Sequence, residues 1–186
     1  MINEIKKAVE ILKNGGIILY PTDTIWGIGC DATNTKAVEK IYKIKNRKLT
    51  KSMIILLNNQ NLISRYVEQV PDIAYNLIEV TDTPLTIIYS KAKNIAKNLI
   101  ADDKSIAIRI TTEEFTSKLL DYFRKPIVST SANISGEKAP LNFYEISDKI
   151  KKQVDYIIKY RQNDLTKQQQ SSIIKIDNNN VFKIIR

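Results

Sequence analysis

Four polar clusters interrupt otherwise apolar stretches of this 186-residue chain, and each sits where a strand or a helix is expected to end. Ligand sites in sheet-based folds gather at such ends. The first cluster is PTDTIWGIGCDA, residues 21–32, directly after the apolar run GIILY. Gly27 and Gly29 permit close backbone approach to a ligand or a positive φ. Thr22 and Thr24 alternate, which places both hydroxyls on one side if the segment is extended. The plainer alternative is a turn closed by Asx-type bonds from Asp23 and Asp31, and Cys30 reads as a small packing residue rather than a nucleophile. The second cluster, KIKNRKLTKS at residues 43–52, carries Lys43, Lys45, Arg47, Lys48 and Lys51. A helix C-terminus stabilises such cations. A bound polyphosphate would also relieve their mutual repulsion, with Arg47 able to grip phosphate bidentately. In the third, SIAIRI, Arg109 breaks an apolar strand, as an edge-strand charge or as a clamp for a carboxylate. The fourth, PIVSTSANISG, offers Ser129, Thr130, Ser131 and Asn133 without a charged residue among them. They are neutral donors suited to phosphate or ribose oxygens, or to an ordinary turn.

What is absent narrows the chemistry further. The chain has no histidine, which removes Ser-His-Asp and Cys-His catalysis and histidine-based zinc motifs. One cysteine allows neither an intrachain disulfide nor a multi-cysteine metal cluster. No GxxxxGK[ST] loop is present, so a nucleotide site must be built differently from a Walker A site. Lysine, arginine, carboxylates, hydroxyls and a cofactor or metal bringing its own charge remain. A net charge of +9, from 29 Lys+Arg against 20 Asp+Glu, favours anionic partners such as nucleic acid, nucleotides or membrane surfaces, although lysines also simply solvate a surface.

The elements that must position these clusters follow from periodicity. Ile5, Ala8, Val9 and Leu12 recur at helical spacing ahead of Gly15-Gly16. GIILY is a buried strand. NTKAVEKIYKIKNR sets Ala37, Ile41 and Ile44 on one helix face, with Asn34 or Thr33 as N-cap. Residues 53–57, 84–89 and 105–110 are strands. Helical patterns flank Pro71, with PDIAYNLIEV carrying Pro at a first-turn position. TEEFTSKLLDYF and NFYEISDKIKK are helices, PIVSTSAN a strand opening into a loop, and VDYIIKY a strand. NDLTKQQQSS reads as a polar loop, and SSIIKIDNNNVFKIIR as a terminal hairpin with DNNN at the turn. Strands and helices interleave, yet the end is hairpin-like. The expectation is therefore an α+β (α/β-like) fold, a mixed parallel and antiparallel sheet with packed helices, in one domain over residues 1–186. There is no apolar run long enough to span a bilayer and no signal-peptide block at the N-terminus. The expectation is a cytoplasmic protein without membrane partners.

In their order along the chain, PTDTIWGIGCDA, KNR at 45–47, PLT at 84–86, IAIRI, STSANISG, SSIIKI and the terminal IIR resemble the YrdC-like family, the threonylcarbamoyl-AMP synthases. They cover nearly the whole chain, in the length of the family's short form. The resemblance implies a twisted mixed sheet with a concave basic cavity. It also implies a reaction in which L-threonine, bicarbonate and ATP give threonylcarbamoyl-AMP and pyrophosphate. The product feeds N6-threonylcarbamoylation of adenosine 37 in tRNA (t6A) through a separate threonylcarbamoyl transferase complex. Carried over residue by residue, Lys45, Arg47, Ser131 and Asn133 form a catalytic polar tetrad around the nucleotide. Lys51, Ser105 and Arg186 look like further ATP contacts. Thr24, Arg109, Ser129 and Ser171 bind threonine, with Arg109 on its carboxylate. Mg2+ is expected on the ATP phosphates, with no protein metal site. The chain departs from the pattern at Trp26, where tyrosine is usual, in the run KLTKSM after the K-x-R motif, and at Leu56, where some long-form members place a threonine-contacting histidine. The loop before SSIIKI lacks the usual glycines. A non-catalytic basic RNA-binding protein is the alternative, although neither an RNP-type aromatic motif nor a GXXG loop is present.

Overall fold

A computed structural model of the chain describes residues 1–48, 53–166, 169–177 and 181–186. Helix α1 (Ile2–Lys13) buries Ile5, Ala8, Val9 and Leu12, the four positions its periodicity selects. Strands β1 (Ile18–Tyr20) and β2 (Gly27–Gly29) form an antiparallel pair, so the polar cluster at 21–26 is the connection between them. Gly29 is required there: a Cβ at this position would lie 2.7 Å from both the Tyr20 ring and the Val128 carbonyl oxygen. Helix α2 (Thr35–Ile44) starts at Asn34, whose side chain accepts from the Ala37 amide, the N-cap expected from sequence. Thr33 is instead held by Asp31, which accepts from both its amide and its hydroxyl.

Strands β3 (Ile54–Leu57), β4 (Leu85–Tyr89), β5 (Ile106–Ile110) and β6 (Ile127–Ser131) make the middle of the sheet. Helix α3 (Asp72–Val80) follows Pro71, which occupies the cap position just outside the first turn. Helix α4 (Glu114–Phe123) is capped by Glu113. The segment expected as a single helix at NFYEISDKIKK is broken. A 3-10 turn (Phe143–Glu145) is followed by extended Ile146 and the short α5 (Asp148–Lys151). The Asn142 side chain accepts from both Tyr144 and Glu145 amides, and this local alternative outcompetes a continuous helix. Strand β7 (Tyr156–Ile157) pairs parallel to β1, and β8 (Ser172–Ile176) with β9 (Phe182–Ile184) forms the terminal hairpin. Most of its DNNN turn lies outside the described residues.

The described strands run in the order β7-β1-β2-β6-β3-β5-β4-β8-β9. Pairs β1/β7, β3/β5 and β4/β8 are parallel, and β1/β2, β2/β6, β3/β6, β4/β5 and β8/β9 antiparallel. The sheet is mixed, as expected. Side chains alternate across it. Ile28, Ile55, Ile87, Ile106, Ile108 and Ile174 join Ala37, Val38 and Ile41 of α2 in the larger apolar cluster. On the other face Ile18, Tyr20, Leu56 and Ile127 pack with α1 and α4 around Phe115 and Leu119. The same face carries Ile54, Ile88, Ala107 and Ile173 toward β8, and there these residues line an open cavity. Leu56, where some long-form relatives of the resembled family carry a histidine, is fully buried among apolar groups on this face.

Candidate active site

The cavity encloses about 290 Å3, and its polar lining comes from distant parts of the chain. Thr24 arrives from the β1–β2 connection and Arg47 from just beyond α2. Arg109 stands on β5, Ser129 and Ser131 on β6, Ser171 before β8, and Arg186 at the last residue. Seven residues chosen from sequence thus meet around one space. Gly27 completes the wall, where a Cβ would lie 3.3 Å from Ser129 Oγ and 3.4 Å from the Thr130 carbonyl oxygen.

Local chemistry explains each position. The Thr22 hydroxyl donates to the Ile25 carbonyl and accepts from the Thr24 amide at 3.0 Å, closing the connection as a hydroxyl turn. The Thr22 and Thr24 hydroxyls lie 2.9 Å apart, so both do face one side. Asp23, between them, points elsewhere and meets Arg109 Nη2 at 3.0 Å. Arg109 is 4% exposed, on a strand flanked by β3 and β4, and its Nε is buried without a hydrogen-bond partner among the described residues. A buried guanidinium with an unused donor has capacity for one more anion. Thr86 lies opposite Arg109 on β4 and its hydroxyl contacts that of Ser171 at 2.8 Å. Arg186 donates through Nε and Nη2 to the Ser171 carbonyl and through Nη1 to Gln170. The terminal arginine therefore both lines the cavity and pins the segment leading into β8.

The electrostatics are one-sided. Among the described residues, no side-chain carboxylate lines the cavity. Burial lowers the Arg47 guanidinium from its usual range. Burial, then the proximity of Arg109, lowers that of Arg186. A bound polyanion would offset the repulsion between Arg186 and Arg109. Among the described residues no group of three or more His, Cys, Asp or Glu gathers to hold a metal. The cavity's arginines and hydroxyls are donors suited to phosphate and carboxylate oxygens.

Lys45 differs from the role expected of it. It is 1% exposed, is not part of the cavity lining, and its Nζ donates to the Ser131 carbonyl and, at 2.6 Å, to the Asn133 carbonyl. Its own carbonyl accepts from the Ser135 amide at 2.8 Å. Lys45 is a clasp on the loop that carries Ser131 and Asn133. Asn133 donates to the Ile134 and Glu137 carbonyls, which leaves its Oδ1 buried with no partner among the described residues. Ser105 lies outside the lining, its hydroxyl bound to Asp103, and Lys51 falls outside the described residues. Cys30 is fully buried in the core and its thiol is pushed up by that burial, so it is packing. Sequence reasoning missed Thr86 and the Asp23 partnership. A threonine inside the apolar PLTIIY strand was the local sign of the first, and no local sign marks the second.

Burial, with Arg47 nearby, lowers the Lys45 ammonium to about 7. The unfolded chain keeps that proton up to about pH 10.4, so between about pH 7 and pH 10.4 the unfolded state binds more protons and stability rises with pH. Below that window the full penalty of burying the cation is present. Lys45→Met removes this contribution and strands two carbonyls. Denaturant unfolding across the window should show the stability gap between the unmodified chain and the variant widening as pH rises. A gap independent of pH would contradict the assignment.

Comparison with known proteins places this arrangement. The family model described as telomere recombination, Sua5/YciO/YrdC, matches residues 10–186. A threonylcarbamoyl-AMP synthase of Pseudoalteromonas translucida is 34% identical over 83% of this chain and 84% of its own length. A putative threonylcarbamoyl-AMP synthase of Methanocaldococcus jannaschii is 38% identical over 97% and 86%. Among solved structures, E. coli YciO superposes with a TM-score of 0.86 at 27% identity, covering 100% of this chain and 89% of that one. P. abyssi Sua5 complexed with L-threonine has the same TM-score at 22% identity, covering 98% of this chain, which spans 53% of that protein. At that identity the likeness shows the fold. With its family model, its curated relatives and its fold in agreement, the chain belongs to the Sua5/YciO/YrdC family.

Proposed function

We propose that the chain is an L-threonylcarbamoyladenylate synthase, a nucleotidyltransferase that converts L-threonine, bicarbonate and ATP to threonylcarbamoyl-AMP and pyrophosphate. The observation that carries this reading is the cavity where Arg47, Arg109 and Arg186 converge with five hydroxyl residues and, among the described residues, no side-chain carboxylate in the lining. The relatives named as threonylcarbamoyl-AMP synthases support it, as does the shared fold of a Sua5 complexed with L-threonine.

The reaction suits a site without histidine. The threonine amine and bicarbonate give a carbamate with loss of water. A carbamate oxygen then attacks the α-phosphate of ATP, and the bond from that phosphorus to the bridging oxygen breaks as pyrophosphate leaves. The carbamate is already an oxyanion, so no strong base is needed. Positioning and charge neutralisation are the tasks left to the protein. Arg109 grips the threonine carboxylate, with Thr24, Ser129 and Ser171 as hydroxyl partners. Arg47 and Ser131 hold phosphate oxygens and meet the charge that develops as pyrophosphate departs. Asn133 offers its free Oδ1 to the nucleotide, and Arg186 closes the far side. Lys45 acts at one remove, by holding the Ser131–Asn133 loop in place. Lys51 and Ser105 would be outer ATP contacts. Mg2+ enters as part of the substrate, on the ATP phosphates, where it supplements the arginine charge.

The activated product is consumed by a transferase complex that modifies tRNA. The RNA-binding alternative needs KIKNRKLTK to be a solvated basic surface, whereas Lys45 is buried and Arg47 lines the cavity. The test is a pyrophosphate-release assay on purified protein with Mg2+, each substrate omitted in turn. Release should require ATP, L-threonine and bicarbonate together. Release independent of threonine, or none at all alongside steeply salt-dependent RNA binding, would refute the proposal.

A further inference from the structure

We infer that Asp23 is a positioning residue for Arg109, setting the guanidinium so that one donor stays open toward the threonine carboxylate; the inference rests on the function proposed above. The pair is long-range and buried, with the Asp23 side chain 12% exposed and that of Arg109 4%. A guanidinium on an inner strand of a sheet needs an opposite charge to stay in place. The carboxylate of Asp23 is the acidic group within ion-pair distance of it among the described residues. Asp23 reaches it from outside the active-site cavity. It lines a second space of about 320 Å3 with Ile78, Asp82, Leu85 and Ile110, so the ion pair stands in the wall between the two cavities.

The geometry of the contact matters more than its existence. Asp23 Oδ1 lies 3.0 Å from Arg109 Nη2, yet neither Oδ1 nor Arg109 Nε has a directed hydrogen bond. The contact balances charge without saturating the guanidinium. A carboxylate on both nitrogens of one edge would use up the fork; this one leaves Nε for a ligand oxygen. The surroundings hold Asp23 to that approach. The turn bonds of Thr22 fix the backbone on either side of it. Arg161 donates to the Thr22 carbonyl and lies 3.7 Å from Glu113, whose charge also faces Asp23. Burial pushes the Asp23 carboxyl up and Arg109 opposes that shift. Asp23 therefore sits where its charge depends on the arginine it orients.

Calorimetric binding of L-threonine, in the presence of a non-hydrolysable ATP analogue, to the full chain and to its D23N and D23E variants tests this. D23N should weaken threonine binding about 10- to 100-fold, and D23E, which keeps the charge but displaces it, by an intermediate factor. Affinity for the ATP analogue alone should stay within about twofold in both variants. If D23N does not fold, D23E carries the same test. Threonine affinity in the folded variants equal to that of the parent would overturn the inference and leave the proposed function standing. Equal losses for threonine and nucleotide would overturn it too, since that is the mark of a merely structural residue. Absence of threonine binding by the unmodified chain would overturn the proposed function and this inference with it.

Discussion

Replacing Arg109 by alanine is expected to raise the threonine requirement by about 30-fold or more while leaving ATP affinity within about threefold, because losing one member of a buried charged contact costs about 2–5 kcal/mol. The direction follows from where Arg109 stands. It lies on the sheet face shared by Ala107 and Ile54, in the cavity that Ser129, Thr24 and Arg47 also line. The same substitution leaves Asp23 buried without its partner. The fold should therefore lose about 3–5 kcal/mol in denaturant unfolding. Arg109→Lys separates the two effects. It restores a charge for Asp23 and so most of the stability, but not the planar fork, so threonine use should remain impaired. A larger loss in ATP use than in threonine use would show that Arg109 serves the nucleotide and would overturn its assignment to the threonine carboxylate.

The second large effect is expected at Arg47. Arg47→Ala should lower the turnover of pyrophosphate release by about 100- to 1,000-fold, the range seen when one preorganised donor to a developing oxyanion is removed. Threonine affinity should change little. Arg47 follows a tight exit from α2, with Asn46 at φ 48 and the Arg47 amide bonded to the Tyr42 carbonyl. That exit turns its side chain into the cavity while Lys45, two residues earlier, is drawn into the body of the protein. Arg47→Lys should recover part of the rate, since a point charge meets phosphate without the bidentate fit. An Arg47→Ala enzyme with unchanged turnover and a raised threonine requirement would contradict this role.

Some of these contrasts follow from local sequence pattern, and others only from packing. Helix α1 was legible because its apolar spacing maps directly onto burial, and the α2 cap because Asn34 offers the short acceptor that an N-terminus needs. The break at Ile146 was not, since apolar spacing over NFYEISDKIKK suits a helix and the Asn142 cap acts only over its own few residues. For the site, the cluster at 43–52 announced its charge but not its partition. Arg47 and Lys45 look alike in a basic run, and only the packing of the Ser131–Ser135 loop sends one into the cavity and the other onto carbonyls. Arg109 was visible as a charge in an apolar strand. Asp23 was visible only as a turn residue, because its partner lies far away in sequence and no local pattern encodes such a pairing. Family resemblance, not spacing, drew Thr24, Ser171 and Arg186 into one list, and they do meet in one cavity.

The proposed role of this arginine-lined cavity is to join a threonine carbamate to AMP. Mass spectrometry of the product formed from ATP, L-threonine and isotopically labelled bicarbonate tests it most directly. One new adenylate, threonylcarbamoyl-AMP, should carry the bicarbonate carbon and disappear when threonine is left out. Pyrophosphate release without such an adenylate, or an adenylate that lacks the labelled carbon, would contradict it.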